Sequence, residues 1–187
     1  MPNLYIIGGA NGSGKTTVSL SLLPNFLGVF EYVNADAIAA GLSPLNPESM
    51  AIQSGRLMLD RLQSLANGTN FAFETTLAAR TFSPFLRACK AKGYSINLIY
   101  FWLQSSDLAV ERVLRRVASG GHSIPEDVIR RRYERGQRNL IELYLPLCDS
   151  WIVYDNSEPT LRLVAEYSVG QNPIIYQQNI WNQLLEM

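Results

Sequence analysis

"GANGSGKT", residues 9–16, matches the phosphate-binding pattern G-x-x-x-x-G-K-[ST] at every fixed position. The apolar run "NLYIIGG" at 3–9 precedes it and predicts a buried strand. "KTTVSLSLLPNF" at 15–26 follows it with the pattern of a short helix that stops near Pro24. Glycines let backbone N–H groups face a phosphate, and a helix start adds partial positive charge. The octapeptide therefore predicts a nucleotide-binding loop between a strand and a helix.

Two side chains of this loop have specific expected roles. Lys15 would bridge the β- and γ-phosphates of ATP, and the Thr16 hydroxyl would ligate Mg²⁺. The predicted nucleotide contacts are Gly9, Ala10, Asn11, Gly12, Ser13, Gly14, Lys15, Thr16 and Thr17. A guanine-specific N-K-x-D motif is missing from the sequence, which argues against a GTPase.

Beyond the loop, predicted strands and helices alternate along the chain. Apolar runs predict further strands at 31–36, 70–75, 95–103 and 150–156. Helical spacing predicts helices from Ser49 to a glycine stop at Gly68, up to Gly93, over 106–118, and from Pro125 to about Leu143. The segment 161–187 predicts two short strands joined at a Gly-Gln-Asn-Pro turn, followed by a terminal helix.

This alternation predicts an α/β fold with a parallel sheet and helices on both faces. We expect residues 1–187 to form a single domain with a three-layer P-loop NTPase/kinase fold. Its mostly parallel five-stranded sheet would be extended by a C-terminal β-hairpin and a short helix. Ligands would then bind at the carboxyl ends of the strands.

Composition restricts the class of protein further. The chain has 187 residues, a formal net charge of zero and 47% hydrophobic residues, an ordinary globular balance. No apolar run approaches the roughly 20 residues that span a bilayer, and "MPNLYIIGGA" lacks a basic signal region, so we expect a cytoplasmic protein. A neutral chain lacks the broad basic surface that supplies most nucleic-acid affinity, which argues against a nucleic-acid-binding protein. Cys89 and Cys148 are isolated in the sequence and form no metal-binding or redox motif, so we expect both to be buried thiols.

Positive charge is nevertheless concentrated in one region. Eight of the sixteen basic residues fall between Arg112 and Arg138, and "RVASGGHSIPEDVIRRRYERG" occupies 116–136. We interpret 116–136 as a lid segment that brings arginines over a transferring phosphoryl group. Gly120 and Gly121 would form its hinge.

The predicted helix of the lid segment separates its side chains by face. The 3.6-residue spacing places Ile129, Tyr133, Gly136 and Leu140 on the packed side. Arg116, Arg131 and Arg132 are the candidates for phosphate contact. We expect Arg130, Arg135 and Arg138 to form a solvated face paired with Glu134. His122 could contact substrate or nucleotide, or serve the structure alone.

Two carboxylates follow predicted strands and would face the same crevice. Asp36 could orient an acceptor hydroxyl and accept its proton, or it could cap the following helix. Glu74 could hold Mg²⁺ through water or bind substrate. Thr76 and Arg80 lie in the next loop and are candidate substrate contacts, although this loop could also be only a capping and turn segment.

Four motifs together resemble the zeta-toxin family of P-loop kinases. They are "GANGSGKTT", "VNADAIAAGL", "FETTLAAR" and "GGHSIPEDVIRRRYERG", in family order between about Leu4 and Leu143. The resemblance implies a phosphotransferase that uses ATP with Mg²⁺ to phosphorylate a hydroxyl of UDP-N-acetylhexosamine. It assigns Asp36 as general base, Lys15 as phosphate-binding lysine, and Glu74 with Thr76 to the substrate loop. It also implies an antitoxin protein as partner, for which the sequence displays no docking surface.

The chain departs from the classical toxins in ways that leave its acceptor open. It is shorter, and its substrate loop reads "ETTLAAR" with the arginine at Arg80. A kinase of the same fold acting on a nucleoside, a sugar or an antibiotic is the first alternative. An ATP-binding switch protein without a small-molecule acceptor is the second.

Overall fold

A computed structural model describes residues 1–121 and 123–186. The strands in this part of the chain are β1 (Asn3–Gly9), β2 (Glu31–Val33), β3 (Phe71–Thr75), β4 (Ser95–Trp102), β5 (Ser150–Asp155), β6 (Arg162–Ser168) and β7 (Ile174–Ile175). They form one sheet in the order β2-β3-β1-β4-β5-β6-β7.

The α-helices of the described residues are α1 (Lys15–Phe26), α2 (Ala35–Leu42), α3 (Ala51–Leu65), α4 (Phe82–Ala91), α5 (Ser106–Ala118), α6 (Glu126–Asn139), α7 (Leu145–Leu147) and α8 (Gln178–Leu185). A 3₁₀ turn, Pro47–Met50, leads into α3, and a π-helical turn, Leu140–Tyr144, connects α6 to α7. None of these helices is long and apolar enough to cross a bilayer.

The sheet is mixed, and its arrangement confirms the predicted fold class. Strands β1 to β5 pair in parallel, whereas β6 pairs antiparallel with β5, and β7 antiparallel with β6. The C-terminal hairpin thus continues the same sheet. Because the parallel strands all run one way, their carboxyl ends share one edge, where the loops after β1, β2 and β3 meet.

Helices cover both faces of the sheet, so the central strands are buried on both sides. Along β1, Leu4 and Ile6 belong to one apolar cluster and Ile7 belongs to the other. β3 follows the same alternation, since Phe71 and Phe73 face the first cluster while Ala72 faces the second. Near-continuous apolar runs are typical of parallel strands buried in this way.

Several predicted helix limits were wrong. The helix predicted over 15–26 is confirmed as α1, which ends at Phe26, two residues after Pro24. The helix predicted from Ser49 starts at Ala51 after a 3₁₀ turn and ends at Leu65. The helix predicted to reach Leu143 is α-helical only to Asn139 and then widens into the π-helical turn.

Candidate active site

The loop between β1 and α1 is packed so closely that its glycines have no substitute. Gly9 has φ 146°, and a Cβ there would lie 2.5 Å from the carbonyl oxygen of Phe101 on β4. Gly14 has φ 84°, and a Cβ there would lie 2.6 Å from Nδ2 of Asn156. Asn156 Nδ2 also donates a hydrogen bond of 2.8 Å to the Ser13 carbonyl. The loop is therefore held in shape by the ends of β4 and β5.

A cavity of about 280 Å³ opens above this loop, and we call it the phosphate-loop cavity. Its lining residues are Asn11, Gly12, Gly14, Lys15, Thr16, Thr17, Asp36, Glu74, Arg112 and Arg116. Ala10 and Ser13 lie beneath it and are buried. The cavity thus combines backbone N–H groups at a helix start with several fixed positive charges, which is the environment that binds phosphate.

Lys15 is buried at the floor of this cavity. Its Nζ donates a 2.8 Å hydrogen bond to the Ala10 carbonyl and lies 3.8 Å from Oε1 of Glu74. Burial lowers the pKa of the Lys15 ammonium from its ordinary value, although the nearby Glu74 and Asp36 carboxylates oppose this effect. A bound phosphate would favour the protonated form of Lys15, which in turn binds phosphate more strongly than the neutral amine.

Glu74, at the end of β3, collects several donors on one carboxylate oxygen. Its Oε2 accepts hydrogen bonds from Thr16 Oγ1 at 2.8 Å, from Asn34 Nδ2 at 3.1 Å and from the Tyr32 hydroxyl. Burial and the Glu74 charge raise the pKa of Tyr32, which therefore remains a donor. These contacts fix the carboxylate beside the Thr16 hydroxyl.

The donor set around Thr16 suits a magnesium ion that is held mainly by its nucleotide. The Thr16 hydroxyl and the Glu74 carboxylate are hard oxygen ligands, and they lie within hydrogen-bond distance of each other. In the described ranges, no group of three His, Cys, Asp or Glu side chains could form a metal site of its own. Mg²⁺ usually relies on few carboxylates, together with substrate phosphates and waters, so the residues present fit it.

Asp36 does not cap α2, so that alternative for its role is wrong. The N-cap is Asn34, whose Oδ1 accepts hydrogen bonds from the backbone N–H groups of Asp36 at 2.8 Å and Ala37 at 3.3 Å. Asp36 occupies the first turn of α2 and is exposed. Its side chain borders the phosphate-loop cavity and both of the cavities described next.

Two further cavities meet at Asp36. The α3 cavity, of about 450 Å³, lies between α2, α3 and the loop after β3, and among its lining residues are Asn11, Asn34, Arg56, Thr75, Thr76, Phe82 and Arg132. The α6 cavity, of about 360 Å³, lies toward the start of α6 and includes Glu48, Ser54, Ser123, Pro125, Val128 and Arg132. Asp36 and Arg132 line both, and these volumes are typical of small-molecule sites.

The loop after β3 is fixed by α6 and the π-helical turn. A Cβ on Gly136 would lie 2.3 Å from the Thr76 carbonyl, so only glycine allows this approach. Asn139 Nδ2 donates to the carbonyls of Leu77 at 2.8 Å and Ala78 at 3.2 Å. The Tyr144 hydroxyl donates to the Ala79 carbonyl. These contacts position Thr76 on the wall of the α3 cavity.

The two glycines predicted as a hinge cap α5. Gly120 has φ 90°, its N–H donates to the Val117 carbonyl at 2.9 Å, and the Gly121 N–H donates to the Arg116 carbonyl at 2.9 Å. This hydrogen-bond pair is the Schellman motif, in which glycine supplies the left-handed residue. A Cβ on Gly121 would lie 2.7 Å from Cγ of Arg116 and 3.3 Å from its Cδ. The Arg116 side chain therefore packs directly on Gly121.

The candidate arginines occupy different places. Arg116 lines the phosphate-loop cavity and Arg132 lines the other two, and both positive charges contribute to lowering the pKa of Lys15. Arg131 is half-exposed, with Nη1 3.9 Å from Asp127, and lies outside the described lining of the three cavities.

Two other predicted arginine environments differ from the structure. Arg80 is mostly exposed, and its Nη1 lies 4.0 Å from Glu142, because the loop after β3 turns it toward the π-helical turn and away from the α3 cavity. Arg130 does not join a solvated face paired with Glu134. It contacts Asp107 at 2.6 Å and Glu126 at 2.8 Å and so connects the first turns of α5 and α6.

His122 lies outside the described residues, so the prediction that it contacts substrate or nucleotide stays a prediction. The packed face predicted for the lid helix is confirmed, because Ile129, Tyr133, Gly136 and Leu140 are all buried. Cys89 and Cys148 are buried free thiols, and burial raises their pKa to about 11 and about 12.

Several residues of the site were missed from the sequence. Arg112 lines the phosphate-loop cavity one helical turn before Arg116, and its Nη2 donates to the Ser157 carbonyl at 2.9 Å. The i, i+4 spacing of the two arginines was a usable signal. Tyr32 and Asn34 are two residues apart at the end of β2, and side chains at that spacing in extended chain point to the same face of the sheet. Arg56 on α3 had no local signal.

The order of the sheet, the glycine loop and the strand-end carboxylates together define a P-loop kinase-like α/β fold. Residues 4–141 match the family model described as an AAA domain, and the chain belongs to this family. An uncharacterized protein of Haemophilus influenzae is 30% identical over 126 residues, which are 67% of this chain and 88% of that protein.

Solved structures share the fold at low sequence identity. The crystal structure of AvrRxo1-ORF1:-ORF2 with ATP matches with a TM-score of 0.78 at 15% identity, over 98% of this chain and 63% of that chain. This chain therefore spans less than two thirds of that protein's length. The structure from the PezAT chromosomal toxin-antitoxin system of Streptococcus pneumoniae matches with a TM-score of 0.69 at 17% identity, over 100% of this chain and 84% of that chain.

Proposed function

We propose that this protein is an ATP-dependent phosphotransferase that moves the γ-phosphoryl group of ATP to a hydroxyl of a small molecule. The observation that carries this proposal is the position of Asp36, which borders the phosphate-loop cavity and also two cavities large enough for an acceptor. A general base must lie within hydrogen-bond reach of the attacking hydroxyl, and the position of Asp36 at the border of the phosphate-loop cavity and the two acceptor-sized cavities supports that role.

The reaction would follow from this arrangement. The acceptor oxygen attacks the γ-phosphorus, the bond from that phosphorus to the β–γ bridging oxygen breaks, and ADP leaves. Asp36 accepts the proton of the acceptor hydroxyl. Lys15, Arg116 and Arg132 stabilise the charge that spreads over the phosphoryl oxygens.

Mg²⁺ would be held by the Thr16 hydroxyl, and by Glu74 directly or through water. When bound, it neutralises charge on the β- and γ-phosphates. The nucleotide contacts would be those of residues 9–17, with Arg112 as an addition to the predicted set. Arg131 stands apart in this assignment because it contacts Asp127 on the outer side of α6.

We further propose that residues 1–187 act as one kinase domain with 116–136 as its lid segment. The positions of its residues support this assignment, since Arg116 at its start lines the phosphate-loop cavity while Pro125, Val128 and Arg132 further along line the α6 cavity. The contact between Gly121 and Arg116 makes the glycine pair a support for the arginine as well as a turn.

The acceptor we favour is a UDP-N-acetylhexosamine, by the resemblance to the zeta-toxin family. The α3 cavity supports it with the hydroxyls of Thr75 and Thr76, the Arg56 guanidinium and an apolar wall at Phe82. A nucleoside, a sugar or an antibiotic is the alternative. An antitoxin is a proposed partner, because the PezAT structure comes from a toxin-antitoxin system. We also propose a cytoplasmic location.

Mass spectrometry of a metabolite extract incubated with ATP and the protein tests the proposal. We expect one class of metabolite to gain the mass of one phosphate. Asp36→Asn should keep ATP binding and lose transfer by about 10²-fold to 10⁴-fold, the range for general-base catalysis. The matched control is Asp60→Asn on α3, which is exposed and outside the described lining of the cavities. Transfer by Asp36→Asn at the parental rate would refute the mechanism.

A further inference from the structure

Gly55 lies in the interior of α3, where the contacts of the fold do not require a glycine. Its φ is not positive, and a Cβ built on it would lie more than 4 Å from every described atom apart from its chain neighbours and the backbone of its own helix. Glycine inside a helix lowers stability relative to alanine, because the unfolded chain has more conformational freedom to lose. The helix thus carries a destabilising residue at a position that has room for a side chain.

The free space beside Gly55 belongs to the α3 cavity. Gly55 lines this cavity, and since glycine has no side chain, the atoms that it contributes are those of the α3 backbone. Positions three and four residues away on the same helical face line the cavity too, and they are Ala51, Met58 and Leu59. A side chain at position 55 would therefore project into the cavity and reduce its volume.

Gly55 also lies one helical turn beyond the junction of the α3 and α6 cavities. Both Asp36 and Ala51 line the two cavities, and Gly55 follows Ala51 by about 6 Å along the helix axis. The ring of a sugar has a similar width. A ring whose hydroxyl meets Asp36 can therefore extend along α3 as far as Gly55.

The wall that Gly55 forms suits the flat face of such a ring. In a helix interior the backbone N–H and C=O groups are already paired with each other, so they offer little to a polar ligand. What remains is a flat carbon surface, and the apolar residues Met58 and Phe82 line the same cavity. Thr75 and Thr76 add polar lining from the end of β3 and the loop after it. This combination fits a ring with an apolar face and hydroxyls at its edge.

We infer that Gly55 is a specificity-determining residue that leaves room for a sugar ring of the acceptor against the backbone of α3. This inference rests on the proposed kinase function, with Asp36 as the base. The ring concerned is the one that carries the phosphorylated hydroxyl. Acyclic alcohols would be poor acceptors, because they would leave this wall uncovered.

Gly55→Ala tests the inference, because it should change stability and acceptor use in opposite directions. Its thermal midpoint should rise by about 1–4 °C, as expected when a glycine is removed from a helix in a chain of this size. Its kcat/KM for the acceptor found by the mass-spectrometry screen should fall by about 10-fold to 100-fold, the effect of one methyl group in a fitted pocket. Its affinity for ATP in calorimetric titration should not change, because Gly55 is outside the described lining of the phosphate-loop cavity.

Two further variants make the comparison decisive. Gly41→Ala is the matched control, since Gly41 is also a helical glycine with open space around its Cβ but is exposed on α2 and outside the described lining of the three cavities. It should raise the thermal midpoint and keep wild-type transfer. Gly55→Leu extends further into the cavity, so it should abolish transfer to the same acceptor and still bind ATP.

The outcomes separate this inference from the proposed function. If the wild type phosphorylates no metabolite, the kinase function itself is wrong. If the wild type transfers phosphate to an acceptor without a sugar ring, or Gly55→Ala uses the acceptor as well as the wild type does, only the role of Gly55 is wrong. A lowered thermal midpoint in Gly55→Ala would mean that the fold needs this glycine, and would also overturn the inference.

Discussion

Replacing Gly121 with alanine should displace Arg116 without unfolding the protein. The new methyl carbon would lie 2.7 Å from Cγ of Arg116, 3.0 Å from its carbonyl oxygen and 3.3 Å from its Cδ. Carbon atoms pack at about 3.5–4.0 Å, so the arginine side chain must move by about 1 Å at Cγ. Its guanidinium lies further out along the same chain and must move with it.

The size of the effect follows from this displacement. A misplacement of about 1 Å in a positioned group can cost about 100-fold in rate, whereas removal of an arginine finger costs about 10³-fold to 10⁵-fold. We therefore expect Gly121→Ala to lower kcat by about 10-fold to 100-fold, or about 1.4–2.7 kcal/mol. Its free energy of unfolding should change by only about 1 kcal/mol, because the closest contact of the new methyl group is with the flexible, partly buried Arg116 side chain.

The assay is a double-mutant cycle of phosphoryl transfer with labelled ATP. In the Arg116→Ala background, Gly121→Ala should cause no further loss, since the group that it displaces is gone. Gly120→Ala is the control, expected to affect stability and not transfer. A methyl group there would contact none of the described residues within 4 Å, but the backbone φ of 90° is unfavourable for alanine. The variant should therefore lose about 1 kcal/mol of stability and transfer phosphate near the parental rate.

Two results would refute this reasoning. One is Gly121→Ala transferring phosphate at the parental rate. The other is the same loss from Gly121→Ala with and without the Arg116 side chain, which would mean that the methyl group acts on something else.

Three other predictions follow from the site. Because burial lowers the pKa of Lys15 from its ordinary value of 10.5 and phosphate favours the ammonium, ATP affinity should fall as the pH rises through that lowered pKa. Calorimetric titration measures this fall, which should be absent in Lys15→Arg if that variant binds ATP, because arginine stays charged. Asn139→Ala removes the donor to the buried Leu77 carbonyl and the partly buried Ala78 carbonyl, so it should destabilise the protein by about 1–3 kcal/mol in urea unfolding. It should also raise the KM for the acceptor, and an unchanged KM would mean that Asn139 does not position the loop. The Cys148 thiol, with its pKa raised to about 12, should resist alkylation at mildly alkaline pH until denaturant is added, and fast reaction of the native protein would contradict its burial.

The parts of the site that sequence anticipated are those that local chemistry dictates. The loop at 9–16 combines glycines, a lysine and a threonine at fixed spacing, and each has one physical use there. The packed face of α6 followed from helical periodicity alone. Such features need only neighbours within a few residues.

The parts that sequence did not anticipate depend on residues far apart in the chain. Asp36 and Asn34 are both good N-caps, and only the observed start of α2 shows that Asn34 accepts the capping bonds. Arg80 and Arg131 were candidates by position, yet both are exposed and lie outside the described lining of the three cavities, near Glu142 and Asp127 respectively. Arg56 belongs to the site because α3 packs beside α2, which no local pattern records.

The hydrogen bond from Asn156 to the Ser13 carbonyl has a consequence for how the protein is made. It joins residues 143 positions apart, so the nucleotide loop gains this support only after β5 has been synthesised and has paired with β4. Contacts of such long range close late in folding. A partly translated chain would carry the octapeptide but hold it loosely, and tight ATP binding would report that the ribosome has passed the fifth strand.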